Sequence, residues 1–220
     1  MKNKSIDWKK TDSILFDMDG TLWDAIDTYA DIWNEAFREI GSDQRITRDI
    51  LYRYMGMNIE EITSKVVSDF PPGKLKPFIG SLYRIQDQIL PEKGGIPYEG
   101  MKEGLTELSK YYKLFLVSNC GDKTLPAFMD YTGIRPYVTD WLSYADTWKV
   151  KSENMKILQE RYSLKYPVYV GDTDGDSRQT RLAGFPFVFA RYGFGETDDY
   201  DLAFNDLRSM ITFFLNLKQE

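Results

Sequence analysis

Two aspartates two residues apart, Asp17 and Asp19 in ILFDMDGTLWD, directly follow an apolar run. Residues i and i+2 of an extended segment project to the same side, so these carboxylates are neighbours. They repel unless one is protonated or a cation lies close by. Burying either is costly unless something pairs with it. Three other places offer matching chemistry: Ser118 and Asn119 in LFLVSNCG, Lys151 in WKVKSENMKIL, and Asp172, Asp174 and Asp176 in VYVGDTDGD. Carboxylate and carbonyl oxygens are hard ligands suited to Mg²⁺, which readily accepts a phosphate oxygen as well. With Asp172 as a further ligand, the aspartates make an acidic nest for a divalent cation. A lysine and a hydroxyl are what a bound phosphate would still need. A carboxylate approaching a phosphate meets repulsion of about 4 kcal/mol at about 4 Å in a medium of ε about 20; Mg²⁺ and Lys151 could offset it. The chemistry indicated is phosphoryl transfer.

Other chemistries are removed by composition. The 220 residues include no histidine, so histidine general bases, Ser/His/Asp triads and His-ligated zinc are excluded. Cys120 is a poor phosphatase nucleophile, because that loop needs an arginine six positions on and Pro126 stands there. A lone cysteine also forms no internal disulfide, which suits a reducing compartment. Acidic residues outnumber basic ones, 34 against 28, which argues against a duplex nucleic-acid partner. MKNKSIDWKK has no apolar signal core, and no run of 18 apolar residues exists. A cytoplasmic protein without a membrane partner is expected, a monomer by default.

The elements that must position these residues are short apolar runs alternating with helical periodicity. Strands are expected at Ile14–Phe16, Leu114–Val117, around Val138–Leu142, Val168–Val170 and Phe185–Phe189. Helices are expected at Glu99–Lys110, Glu153–Tyr162, Ser177–Ala183 and Asp206–Leu217. Strands apolar on both faces, alternating with helices, predict an α/β fold with a doubly wound parallel sheet. Ligands then gather at the carboxyl ends of the strands. About 70 residues separate the first strand from the helix opening near Tyr98, too many for a simple crossover. That stretch reads as four helices, the first from about Ala25 to Ile40, stopped by Gly41. Asn58 and Glu61 are spaced as a capping box, and Pro71–Gly73 and Pro91–Gly95 read as breaks. The expected organisation is a core of 1–22 and 96–220 with a helical cap, 23–95, inserted after the first strand.

The motifs resemble the haloacid dehalogenase-like superfamily, in its aspartate-based phosphatase branch near phosphoglycolate phosphatase and β-phosphoglucomutase. DMDGT is similar to that family's DxDGT signature, VSN to its Ser/Thr motif and VGDTDGD to its GDxxxD motif; the lysine motif departs, with KSEN lacking both prolines of KPxP. Lys149 competes for the lysine position. Lys151 is preferred for its spacing to the next helix, with Ser152 able to cap it. The resemblance implies that Asp17 is a nucleophile forming an aspartyl-phosphate, and that Asp19 protonates the leaving oxygen and then activates water. It also implies Mg²⁺ on Asp17, the Asp19 carbonyl and Asp172, with Asp176 ordering water beside the metal. Ser118, Asn119, Lys151 and backbone N–H groups would bind the phosphoryl group of a small soluble phosphate ester. The helical insertion would act as a mobile cap.

Competing readings are weaker. DTDGD fails as an EF-hand loop, since Gly175 is fourth from Asp172 and the twelfth residue is Ala183. Asp174 reads as solvent-facing, Cys120 as a bystander, and YGFGE at 192–196 as a flexible loop bordering the site. Trp23, Tyr29 and Trp33 read as core more than cleft. A sugar phosphomutase remains the close alternative. A phospho-accepting receiver domain and a catalytically retired binding module are alternatives from another class.

Overall fold

The computed structural model describes residues 6–67 and 73–218. After a 3₁₀ turn at Trp8–Lys10 come β1 (Ser13–Phe16) and a tight loop leading to β2 (Trp23–Asp24). Four helices follow: α1 (Ile26–Glu39), α2 (Arg48–Tyr52), α3 (Ile59–Val66) and α4 (Leu75–Lys93). β3 (Ile96–Pro97) then pairs antiparallel with β2, so both connections to the four helices run side by side. The remainder alternates: α5 (Met101–Leu108), β4 (Lys113–Ser118), α6 (Thr124–Thr132), β5 (Asp140–Ser143), the single turn α7 (Tyr144–Thr147) and α8 (Lys151–Tyr162). It ends with β6 (Pro167–Gly171), α9 (Asp174–Ala183), β7 (Phe187–Ala190), β8 (Leu202–Phe204) and α10 (Leu207–Asn216).

β1, β4, β5, β6, β7 and β8 form one parallel sheet in the order β5-β4-β1-β6-β7-β8. β1 is central, with Phe16 opposite both Leu116 and Val170. Alternate residues serve opposite faces. Ile14, Phe16, Leu114, Leu116, Val168 and Val170 pack with Met101, Leu105, Phe128, Met210 and Phe214. Leu15, Phe115, Val117 and Tyr169 pack with Met155, Leu158, Phe187 and Phe189. Helices on both faces explain why these strands read as uninterrupted apolar runs. No helix among the described residues is long and apolar enough to cross a membrane.

The four-helix insertion has its own apolar cluster. Ile26, Ala30, Trp33 and Phe37 line one stripe of α1, and Phe37 stacks on Phe78 with ring centroids 4.9 Å apart. Gly41, at φ 71°, ends the helix while Ser42 N–H reaches back to the Phe37 carbonyl, a left-handed stop that glycine makes without penalty. Asn58 and Glu61 form the capping box of α3.

Several expectations are corrected. Pro91 does not break α4; the helix continues to Lys93 and Gly94 ends it. Pro91 gives up the amide that would bond the Asp87 carbonyl, and only Glu92 and Lys93 remain helical beyond it. Pro71 and Pro72 lie outside the described residues. β7 starts at Phe187 because Pro186 has no N–H for the ladder, though its carbonyl still accepts from Tyr169. Ser152 does not cap α8; Val150 holds the cap position and Lys151 is already helical. α9 begins at Asp174, three residues early, because Thr173 and Asp176 form a capping box. β8 and the β2–β3 ribbon were not expected from the sequence.

Candidate active site

The parallel register brings four chain segments to one edge of the sheet. Asp17 N–H continues the β1 ladder by donating to the Val170 carbonyl at 2.8 Å. This holds the Asp17 side chain, 2% exposed, just past the strand end. The following loop turns tightly, with Leu22 N–H on the Met18 carbonyl at 2.8 Å and Gly20 at φ 77°. A methyl group on Gly20 would lie 2.1 Å from Asp172 Oδ2. Glycine is required there by backbone conformation and by the approach of two loops.

Asp172, beyond the end of β6, is buried. Its Oδ1 accepts from Thr21 Oγ1 at 3.3 Å and its Oδ2 from Phe194 N–H at 2.7 Å. The loop read as YGFGE thus does more than border the site, since it grips a site carboxylate through its backbone. Phe194 also meets Tyr52 of α2 at 5.5 Å between ring centroids, linking that loop to the insertion.

Lys151 opens α8 with its side chain buried. Its Nζ lies 2.9 Å from Asp17 Oδ1 and 2.6 Å from Asp176 Oδ1. Lys149, the competing position, is on the surface beside Glu153. The structure therefore brings Lys151 to Asp17 and leaves Lys149 outside. The second oxygen of Asp176 accepts from Thr173 Oγ1 at 2.7 Å and from Thr173 N–H at 3.1 Å. The helix cap thereby fixes the carboxylate that faces the lysine.

Ser118, at the end of β4, lines the cleft. Asn119 also lines it, but its Nδ2 donates to the Gly56 carbonyl of the insertion at 2.7 Å, a latch between core and helices that the sequence did not suggest. Cys120 lines the same cleft, and burial, then Asp19, push its thiol pKa up, so it is not a thiolate nucleophile. Asp174 sits on the surface in an ion pair with Arg178.

Asp19 is half-buried, and its carboxylate accepts from Trp23 Nε1 at 2.9 Å and from Tyr29 Oη at 3.1 Å. Trp23 is fully buried, as its reading as core implied, yet it and Tyr29 have a second use as donors to Asp19. Burial, then the neighbouring Asp17, raise the Asp19 pKa to about 8. Burial raises Asp17 to about 6, against the pull of Lys151. Burial with Asp176 and Asp17 nearby raises Asp172 well above the ordinary carboxylate range. Lys151 is held charged, its pKa raised by Asp17 and Asp176 against the cost of burial.

Carboxylate oxygens of Asp17, Asp172 and Asp176 lie within 4.8 Å of one another. One ammonium does not balance three carboxylates, and the buried Asp17 Oδ1, although ion-paired with Lys151, has no hydrogen bond. This hard oxygen set with surplus negative charge fits a divalent cation. Asp19 is absent from that side-chain cluster.

Phosphoglycolate phosphatase from Aquifex aeolicus (strain VF5) is 27% identical to this chain over 192 residues, covering 82% of this chain and 85% of that protein. A predicted phosphoglycolate phosphatase from Haemophilus somnus has a similar structure, with a TM-score of 0.83 at 19% identity over 92% of this chain and 97% of that one. CbbY from Rhodobacter sphaeroides, solved in complex with phosphate, gives a TM-score of 0.77 at 16% identity, covering 89% and 94%. At such identities the structural likeness speaks for the fold alone. Residues 14–190 match the family model described as haloacid dehalogenase-like hydrolase, and with most of its length inside that match the chain belongs to this family.

Proposed function

We propose that the protein is a Mg²⁺-dependent phosphatase that hydrolyses a small soluble phosphate monoester through an aspartyl-phosphate on Asp17. The observation that carries this reading is the buried Asp17 carboxylate, open to the cleft, with Lys151 at 2.9 Å on one oxygen. A carboxylate otherwise so costly to bury is supported as a nucleophile by that neighbour.

In the proposed reaction Asp17 attacks phosphorus and the ester P–O bond breaks. The leaving oxygen takes the proton of Asp19, whose pKa of about 8 keeps it protonated at neutral pH. Asp19, now a carboxylate, removes a proton from the water that attacks the aspartyl-phosphate, releasing inorganic phosphate and restoring Asp17. Ser118, Asn119 and Lys151 hold the phosphoryl oxygens, Asn119 with the amide hydrogen not given to Gly56. Asp17, the Asp19 carbonyl and Asp172 would hold Mg²⁺, with Asp176 beside them, and the ion when bound would neutralise charge on the phosphoryl group. Residues 23–95 act as the cap over the core of 1–22 and 96–220, excluding water from the cleft. A lone cysteine suits a reducing, cytoplasmic setting.

Hydrolysis of an aryl phosphate with Mg²⁺ tests this proposal, alongside Asp17→Asn. Turnover in the wild type and none in the variant is expected. Undiminished turnover in Asp17→Asn would remove the role given to Asp17. An aspartyl-phosphate that persists for minutes without turnover would favour the phospho-acceptor alternative.

A further inference from the structure

The two ends of the cleft differ in chemistry. Asp17 and Asp19 open onto one cleft, and its far wall is formed by Trp33, Leu51, Met55, Met57, Ile59 and Ile62 of the insertion. Two polar side chains on that side have partners. Gln86 Nε2 donates to Thr124 Oγ1 at 2.5 Å, and Tyr29 Oη donates to Asp19. Among the described residues, Lys151 is the one cation lining the cavity, and two carboxylates hold it. Glu60, next to Ile59 in sequence, accepts from Tyr83 through Oε1, and its Oε2 is a buried atom without a hydrogen bond.

The insertion is drawn down onto the core, by Asn119 on the Gly56 carbonyl and by Tyr52 against Phe194. The leaving group of a bound ester therefore meets this wall and not bulk water. A groove that shares Met55, Gly56, Met57, Asn119 and Lys151 with the cavity carries Lys65 and Arg178; Arg178 is paired with Asp174, and neither Asp17 nor Asp19 lines this groove. The carboxyl that protonates the leaving oxygen faces the apolar side. An anionic leaving group would shed its hydration there with no free cation to receive it. An apolar face would instead gain by burial.

We infer, on the phosphatase reading above, that the cleft takes phosphate monoesters of uncharged alcohols with an apolar or aromatic face, and discriminates against esters of anionic alcohols such as phosphoglycolate. The test is kcat/KM for benzyl phosphate and for phosphoglycolate, with Mg²⁺, in the wild type and in Met57→Lys. Met57 is part-exposed, and a lysine there puts a cation on the wall while leaving the core carboxylates untouched. Benzyl phosphate should exceed phosphoglycolate by at least about tenfold in the wild type. In Met57→Lys, and in the part-exposed Met55→Lys if the first variant melts early, the ratio should fall by a similar factor as phosphoglycolate gains. Phosphoglycolate turned over as well as benzyl phosphate by the wild type overturns the inference and leaves the phosphatase reading standing. An unchanged ratio in a folded lysine variant overturns it too, by removing the wall as the source of discrimination. If neither these esters nor any aryl phosphate is hydrolysed, the phosphatase reading falls and takes the inference with it.

Discussion

The core wall of the cleft presents Asp17, Ser118 and Lys151 from strand ends and a helix start, with Asp172 buried beside them, whereas the insertion wall presents apolar side chains from helices as short as 5 and 8 residues. On the core side the site carboxylates are tied to backbone or neighbouring groups: Asp172 by Phe194 N–H, Asp176 by a helix cap, Asp19 by two aromatic donors. On the insertion side, position follows from packing, and similar volumes can be exchanged at small cost. The difference teaches that charge chemistry needs a rigid sheet edge, while the choice of leaving group can rest on a replaceable surface. Perturbations of the two walls should therefore differ in kind: core changes remove chemistry, insertion changes alter local stability and selection.

The largest effect is expected at Asp17. Asp17→Asn keeps the shape and removes the proposed nucleophile, so turnover of an aryl phosphate should fall by at least about 10⁴-fold. Its melting temperature should stay within a few degrees of the wild type. A loss of turnover explained entirely by unfolding would show that the carboxylate is structural.

Lys151→Met comes next. It leaves Asp17 and Asp176 facing each other without their shared ammonium. Removing one partner of a buried ion pair costs about 3–5 kcal/mol, readable as a lowered urea midpoint in metal-free protein. Lys149→Met, on the surface, should change stability by no more than about 0.5 kcal/mol. Equal effects at the two lysines would erase the distinction the structure draws between them.

On the insertion side, Phe37→Ala empties a place between Trp33 and Phe78. The local cost is about 3–5 kcal/mol. If the insertion opens as its own cooperative unit, amides of α1 and α4 lose hydrogen-exchange protection while those of β1, β4 and β6 keep theirs. Uniform loss across both regions would make the two walls one folding unit.

How far the sequence disclosed each wall follows the same division. β1, β4 and β6 were legible because burial on both faces leaves uninterrupted apolar runs, and Asp17, Ser118 and Asp172 each follow one directly. Lys151 was legible by its place before a helix; the choice over Lys149 needed the side chains. The insertion was recognisable as four helices from periodicity and caps, but not which side chains face the cleft. Tyr29 and Trp33 sit on an amphipathic stripe whether they serve the core or the cavity. The Asn119 latch and the approach of Gly20 to Asp172 join residues 63 and 152 positions apart, and no local pattern encodes such contacts. β8 escaped because a three-residue strand of half-buried side chains carries almost no periodicity.

On the proposed metal reading, proton and Mg²⁺ would compete for the core wall, which sharpens the comparison further. Asp17 and Asp19, raised to about 6 and about 8, bind protons in the folded state at pH values where the unfolded chain has released them. Their contribution is fully present below about pH 4, the ordinary carboxylate value, and is lost as pH rises through 6 and 8. Metal-free protein should therefore lose stability over that window. A divalent cation balances the same charge, so the rise in melting temperature on adding Mg²⁺ should be larger at pH 8 than at pH 5.5. Equal rises at both would separate the metal from these carboxylates.

The smallest effect is expected where the two walls touch. Tyr29 belongs to the insertion, yet its hydroxyl lies 3.1 and 3.2 Å from the two oxygens of Asp19. Tyr29→Phe removes that donor and leaves Trp23 Nε1 in place at 2.9 Å. A hydrogen bond to a carboxyl group of this kind is worth about 1 kcal/mol, so kcat should fall by about fivefold while KM for an aryl phosphate stays within about twofold. A fall in kcat of that size makes the first insertion helix a positioning element for the acid of the core. A change confined to KM would return Tyr29 to the selecting surface alone, and the division between the walls would then be complete.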